Sequence, residues 1–353
     1  MAHRTLLCLV VALALSAPAA HADRLPYLHV GAASGPAGLA QIRDAHDRVV
    51  LLRGVNVNGL EDMRRADLRP SYPIDPAAYQ HGGCPADDPS VHSVAVCATD
   101  LPQMRALGFD VIRLALSWSE LEPQPGRLST TYLDRIAQVV GWARAQGIYV
   151  LLDMHQDGWS KYLGADSAPC PPPAGQVDGQ DGAPEWASVH TLSMCAPAST
   201  LELAPAVGEA FQRFYANVPA ADGVGLQDHF AAAFVALARR FAGDPTVAGY
   251  ELLNEPHPGF AAVPGAQDAA ELFPFYAKVV GAVTAALPGF RQLFFVEPNA
   301  ERNVTDQGPV LTPWAAYSSY PNVVFAPHVY TGVFTADALA GQRLFPSDGG
   351  YRS

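Results

Sequence analysis

Residues 249–259 read GYELLNEPHPG. An apolar stretch beginning at Val247 runs into Asn254, Glu255 and Pro256, so a carboxylate sits where a buried strand comes to the surface. A carboxyl group partly withdrawn from water is expected to have a raised pKa, which suits a proton donor at neutral pH. Asn254 beside it can offer an amide to a hydroxyl-bearing substrate. A bare Asn-Glu-Pro is equally compatible with a loop cap or an Arg pair, so its meaning depends on its company.

That company is a set of similar runs: VVLLRGVNVNG (49–59), FDVIRLALSW (109–118), GIYVLLDMHQD (147–157), QLFFVEPN (292–299) and NVVFAPHVY (322–330). With 247–256 they make six. Each is continuously apolar rather than alternating, which predicts parallel strands covered on both faces. Helical patterns separate them. Thr99 or Asp100 caps a short helix with Pro102 in its first turn and Gly108 beyond its end. Ser129–Gln146 carries Leu133, Ile136, Val140 and Ala143 on one face, and Gln227–Ala242 carries Phe230, Phe234, Leu237 and Phe241. Ala269–Leu287 is a third, stopped by Pro288 and Gly289.

Repeated strand–helix alternation implies an α/β protein, either a (β/α)8 TIM barrel or a doubly wound sheet. Each run ends in polar residues: Asn56 and Asn58, Trp118 and Glu120, His155 and Asp157, Asn254 and Glu255, Glu297 and Asn299, His328 and Tyr330. Chemistry spread over many strand ends favours the barrel, because a doubly wound sheet gathers its ligand contacts at one switch point. Strand starts near 49, 109, 147, 247, 292 and 322 leave two spacings well above the ~31 residues of an average barrel unit. Those two contain Cys84 with Cys97 and Cys170 with Cys195, so each enlarged loop is expected to carry one local disulfide over the catalytic face. Only six of eight β/α units are legible, and residues 23–353 are therefore expected to form a barrel truncated at its C-terminal end.

The first 22 residues read as a secretory signal: His3 and Arg4, an apolar Leu6–Leu15, and Ala20-His21-Ala22 before Asp23. The protein is expected to be secreted and monomeric. A net charge of −12 makes nucleic acid or an anionic membrane surface a poor partner. No cofactor is expected, and no metal, since the cysteines lack a Cys-x-x-Cys pair and the histidines a distinctive ligand spacing.

Arg113 lies inside an apolar strand, where a guanidinium calls for a carboxylate partner. His155, His328 and Tyr330 end two further strands. RGVNVNG, the Arg of VIRLALSW, DMHQD, LLNEP and PHVY, in this order, resemble glycoside hydrolase family 5, a family of (β/α)8 retaining glycosidases. DMHQDGWSKYLG and the long Pro- and Cys-bearing segment after it look like the endoglycoceramidase branch, whose members cleave oligosaccharide from ceramide in glycosphingolipids. The resemblance implies that Glu255 is the general acid/base and Asn254 binds the sugar hydroxyl beside the anomeric carbon. It implies that Arg113 orients the nucleophile, that His155, His328 and Tyr330 line the reacting-sugar subsite, and that Asp157, like Asn254, is a candidate to hydrogen-bond sugar hydroxyls, with a solvated loop cap as the alternative for Asp157. It also implies a glycolipid or oligosaccharide partner, with peripheral lipid contact.

Retaining chemistry needs a second carboxylate. The family takes it from a Glu at the end of the seventh strand, and no matching Gly-Glu-Phe-like motif occurs here, so the nucleophile is expected to be missing from the chain. Glu297 is better suited to an Arg pair or a sugar contact than to that role. Other family 5 glycosidases, acting on a glucan, a mannan or a lipid glucoside, and a non-catalytic glycan-binding fragment are the alternatives. The aromatic residues Trp159 and Tyr162 are candidates to stack on sugars or wall a lipid groove, whereas Phe273–Tyr276 is expected to pack a helix start.

Overall fold

All six apolar runs contribute strands to one parallel sheet in the computed structural model, which describes residues 25–33, 39–61, 72–82, 84–85, 95–164, 168–261, 264–300, 314–328 and 330. The strands are β1 (Gly54–Val57), β2 (Val111–Ser117), β3 (Tyr149–His155), β4 (Val247–Glu251), β5 (Leu293–Val296) and β6 (Val323–Phe325). Their spatial order is β6-β5-β4-β3-β2-β1, with every pair parallel. Chain order and spatial order coincide, as in successive units of a barrel. A doubly wound sheet reverses direction at a switch point, and none occurs among these strands. The signal segment and all but Tyr330 of the residues after His328 lie outside the described residues.

The two faces of the sheet differ in a way the apolar runs conceal. Ile112, Leu114, Leu116, Val150, Leu152, Tyr250 and Phe294 are fully buried against the helical layer. The opposite face is apolar only near the amino ends of the strands, where Tyr149, Leu293 and Phe295 join Leu28 in a smaller core. Toward the carboxyl ends it becomes charged: Arg113, Asp153, His155, Glu251 and Glu297. Gly249 permits the β4–β5 approach, since a Cβ there would lie 2.5 Å from the Leu293 carbonyl oxygen.

Among the described residues, five principal helices cover the sheet: α1 (Asp100–Ala106), α2 (Thr130–Ala145), α3 (Pro205–Tyr215), α4 (Leu226–Phe241) and α5 (Phe273–Ala286). Ser129 caps α2 by accepting the Tyr132 amide. The sequence reading missed α3, a short helix entered through Pro205. It also took the segment from Ala269 as plain α-helix, whereas Asp268–Leu272 is a π-turn leading into α5. The run at 49–59 pairs as a strand only over Gly54–Val57. Val49 and Leu51 are 54% and 83% exposed, while Val50 and Leu52 pack on the lower core. A hairpin of His29–Val30 with Ile42–Arg43 closes that end.

Both enlarged loops carry the expected bridges, Cys84–Cys97 and Cys170–Cys195, with Cα atoms 5.7 and 5.5 Å apart. The second loop folds on a hairpin of Ala174–Gln176 with Cys195–Pro197. Trp159, expected at a sugar or lipid surface, is instead 2% exposed and packs edge-on to Phe211 at 4.9 Å. It joins Trp118, Phe214, Phe230 and Phe275 in the core, each such ring contributing about 1.5–3 kcal/mol by burial. Phe273 and Tyr276 pack the start of α5 as expected.

Candidate active site

Glu255 leaves the end of β4 with φ +38°, a left-handed conformation that a non-glycine residue holds only when its surroundings enforce it. Gln156 enforces it. Its Nε2 donates to the carbonyls of Asn254 (2.9 Å) and Glu255 (3.1 Å), and its Oε1 accepts the Trp159 amide at 2.7 Å. The Asn254 amide donates to the Met154 carbonyl, and its Nδ2 donates to the Gln156 carbonyl at 3.1 Å. Gln156 stands inside the HQD stretch, where no residue-level signal marks it for this role.

Five of the six substrate-binding candidates cluster around Glu255 and the β2–β4 strand ends. Glu255 Oε1 accepts from His328 Nδ1 at 2.6 Å and from the Tyr330 hydroxyl. Arg113 Nη2 donates to Asn254 Oδ1 at 2.8 Å, fixing which way the amide points. His155 Nδ1 meets Asp153 Oδ2 at 2.7 Å, and its Nε2 lies 3.5 Å from Asn254 Nδ2. Asp157 is the outlier: its side chain is 40% exposed and 3.6 Å from His155 Nε2, an electrostatic contact only.

The sequence did not supply the two close partners of Arg113, Glu251 at 2.5 Å and Asp153 at 3.0 Å; Glu297 stands more loosely at 4.0 Å. Glu251 lies inside the stretch quoted first, and Asp153 inside DMHQD; only their position on the charged face of the sheet reveals them. Glu297 does meet Arg113, as expected. His328 Nε2 stands 3.2 Å from Glu297 and 3.7 Å from Glu251.

This crowding sets the protonation states. Burial works against the charge on Arg113, but Asp153 and then Glu251 outweigh it and hold the guanidinium firmly protonated. Burial pushes Glu297 well above the carboxylate range, reinforced by the charge of Glu251 beside it, which favours its neutral form. Glu251 goes the other way: burial opposes ionisation, but His328 and Arg113 hold it ionised. Burial disfavours the His328 cation too, yet Glu251 and Glu255 raise it to about 9. Glu255 departs from expectation. Burial raises it, but its bonds to His328 and Tyr330 prevail and lower it below the ordinary value.

The result is an ionised carboxylate, held by an imidazolium and a phenol, above a buried Arg–carboxylate lattice. A family model described as cellulase (glycosyl hydrolase family 5) matches residues 94–343. The chain belongs to glycosyl hydrolase family 5. It is 33% identical over 232 residues to endoglycoceramidase I of Rhodococcus hoagii (strain 103S), covering 63% of this chain and 43% of that protein. To the glucosylceramidase of Aspergillus fumigatus it is 29% identical over 274 residues, covering 70% of this chain and 35% of the other. A solved endogalactoceramidase matches at 37% identity and TM-score 0.74, over 92% of this chain and 63% of that one. Endo-glycoceramidase II from Rhodococcus sp., solved with ganglioside GM3, matches at 25% identity and TM-score 0.60, over 82% and 58% of the two chains. The chain thus spans less than half the length of these curated relatives.

Proposed function

We propose that this chain carries the acid/base half of a secreted retaining β-glycosidase that releases oligosaccharide from ceramide. The reading rests on Glu255, whose Oε1 is bound by both His328 and Tyr330 beside an Asn254 locked by Arg113. Glu255 acts as general acid/base. His328, 2.6 Å away, holds and orients the Glu255 carboxyl group, which takes up its proton from solvent. The loaded carboxyl then protonates the glycosidic oxygen as the bond breaks, and afterwards takes a proton from the water that attacks the anomeric carbon. Asn254 Nδ2 and His155 mark where the hydroxyls of the reacting sugar bind. The attacking carboxylate, due about 5–5.5 Å from Glu255, is not assigned to Glu297, which is 1% exposed and whose burial works against the ionised form a nucleophile needs. No described residue is assigned that role. The ceramide-linked substrate is supported by the names of the relatives and by the ganglioside bound to one of them.

Incubating the protein with a ganglioside and separately with a β-glucan, then analysing released glycans, tests the reading. Intact oligosaccharide freed from ceramide is the expected product; cleavage of the glucan alone overturns the substrate assignment. Glu255→Gln is expected to lower kcat on the ganglioside by about 10²-fold or more, the usual scale of general acid/base catalysis. Unchanged turnover by this variant would remove Glu255 from the mechanism.

A further inference from the structure

The segments that carry Asp157 and Asp181 are seamed together along their backbones. The Asp157 amide donates to the Asp181 carbonyl at 3.3 Å, the Ala183 amide to the Trp159 carbonyl at 2.7 Å, and the Gly179 amide to the Leu163 carbonyl at 2.9 Å. The Ser160 hydroxyl adds a bond to the Ala183 carbonyl at 2.5 Å. Beside this seam lies a groove of 460 Å³, lined by Lys161 and Tyr162 from one segment and by Glu185, Ser188, Val189 and His190 from the other. Tyr162 stands five residues from Asp157, and five residues of chain reach at most about 18 Å. The groove is therefore within a few sugar units of the reacting-sugar subsite.

The walls of the groove are fastened. Glu185–Ala187 forms a 3-10 turn, and the Trp186 indole nitrogen donates to the Glu122 carbonyl at 3.2 Å while its ring packs edge-on to Trp118 at 5.3 Å. The Ser188 hydroxyl donates to the Pro184 carbonyl at 2.8 Å. Just beyond, Glu209 accepts the amides of Thr191 and Leu192 at 2.7 and 2.8 Å, and the Cys170–Cys195 bridge ties the enlarged loop across. A wall held in place before its ligand arrives loses little ordering entropy on binding.

The lining states what would bind. Glu185 presents an exposed carboxylate, and the Ser188 oxygen keeps a lone pair for a donor. His190 Nδ1 donates to the Leu192 carbonyl at 3.0 Å, which leaves Nε2 of the neutral imidazole as an acceptor. Tyr162 is half-buried and supplies an aromatic ring, with the Lys161 ammonium 5.1 Å from its centroid. Hydroxyl acceptors around an aromatic ring match a pyranose, which carries hydroxyls on its edge and C–H bonds on its face. An acyl chain would find only Val189, and the Glu185 carboxylate repels an acidic ligand. We propose that this groove is a distal glycan subsite, which holds a neutral sugar unit of the substrate away from the bond that is cut. The proposal deepens the glycosidase reading and rests on it for the choice of ligand.

The test compares lactose with lacto-N-tetraose, a neutral tetrasaccharide ending in the same lactose unit, by isothermal titration calorimetry. Turnover of the matching lactosyl and tetraosyl ceramides is measured beside it. The tetrasaccharide is expected to bind about tenfold more tightly than lactose, and its ceramide to show a similar gain in kcat/KM. Glu185→Ala should cut both gains to about twofold while leaving lactose binding and lactosylceramide turnover unchanged. Tyr162→Ala, checked for folding by circular dichroism, should do the same. Equal Kd values for the two sugars, or an advantage that survives both variants, overturn the subsite. If neither ceramide is cleaved while the tetrasaccharide keeps a binding advantage that the variants remove, the glycosidase reading fails and the glycan subsite stands.

Discussion

Replacing Arg113 by Met removes the one cation that Asp153 and Glu251 share, while leaving a side chain of similar reach. At 2.5–3.0 Å and an effective dielectric constant of about 20, each of the two close pairs is worth on the order of 5 kcal/mol before desolvation is counted. The net loss is smaller, because the guanidinium gives up its own burial penalty, and breaking a buried pair in practice costs about 3–5 kcal/mol. That corresponds to a fall in Tm of about 6–15 °C, taking 2–4 °C per kcal/mol and some compression for a chain of this size. Glu251 bears most of the penalty, since Glu297 beside it already favours its neutral form. Its carboxyl would now rise above its ordinary pKa and be relieved as pH falls, so the deficit should shrink between pH 7.5 and pH 5. Urea unfolding followed by circular dichroism at both values measures this. Adding Glu251→Gln to Arg113→Met should recover at least half of the loss by removing the stranded charge. A deficit below about 1 kcal/mol, or a second substitution that adds its own full cost, would show that the carboxylate lattice does not depend on Arg113.

Two further outcomes can be checked with the same equipment. His328 has its folded pKa raised to about 9 from 6.5, so its contribution is complete below pH 6.5 and is lost as pH rises toward 9; His155 shifts in the same direction. Stability should therefore fall by about 3 kcal/mol from His328 alone across that window, and His328→Gln should flatten the decline; an equal slope in the variant would refute the assignment. Gly249→Ala should destabilise by about 1–3 kcal/mol, because its Cβ would meet the Leu293 carbonyl oxygen at 2.5 Å and the Phe295 ring at 2.8 Å, neither free to retreat within a paired sheet. A neutral effect on Tm would mean that the β4–β5 approach is looser than the structure has it.

Six strands in order, the helices at Asp100, Thr130 and Leu226, the local disulfide pairs and the place of Glu255 at the end of β4 were all legible from the residues alone. Each is a matter of local periodicity, of a cap or a breaker, or of short separation along the chain. What the sequence hid was the composition of the charged face. Glu251, Asp153 and Asp181 stand among apolar or glycine-rich neighbours, and a single run cannot say which side of a strand will look away from the helices. The protonation of Glu255 was read in the wrong direction for the same reason. Burial is foreshadowed by the apolar letters before it, but the two groups that reverse its effect, His328 and Tyr330, arrive 73 and 75 residues later. Local sequence determined where the carboxylate would emerge. Its charge was decided by strands that meet only in the folded sheet, because electrostatic energy depends on distance through space rather than along the chain.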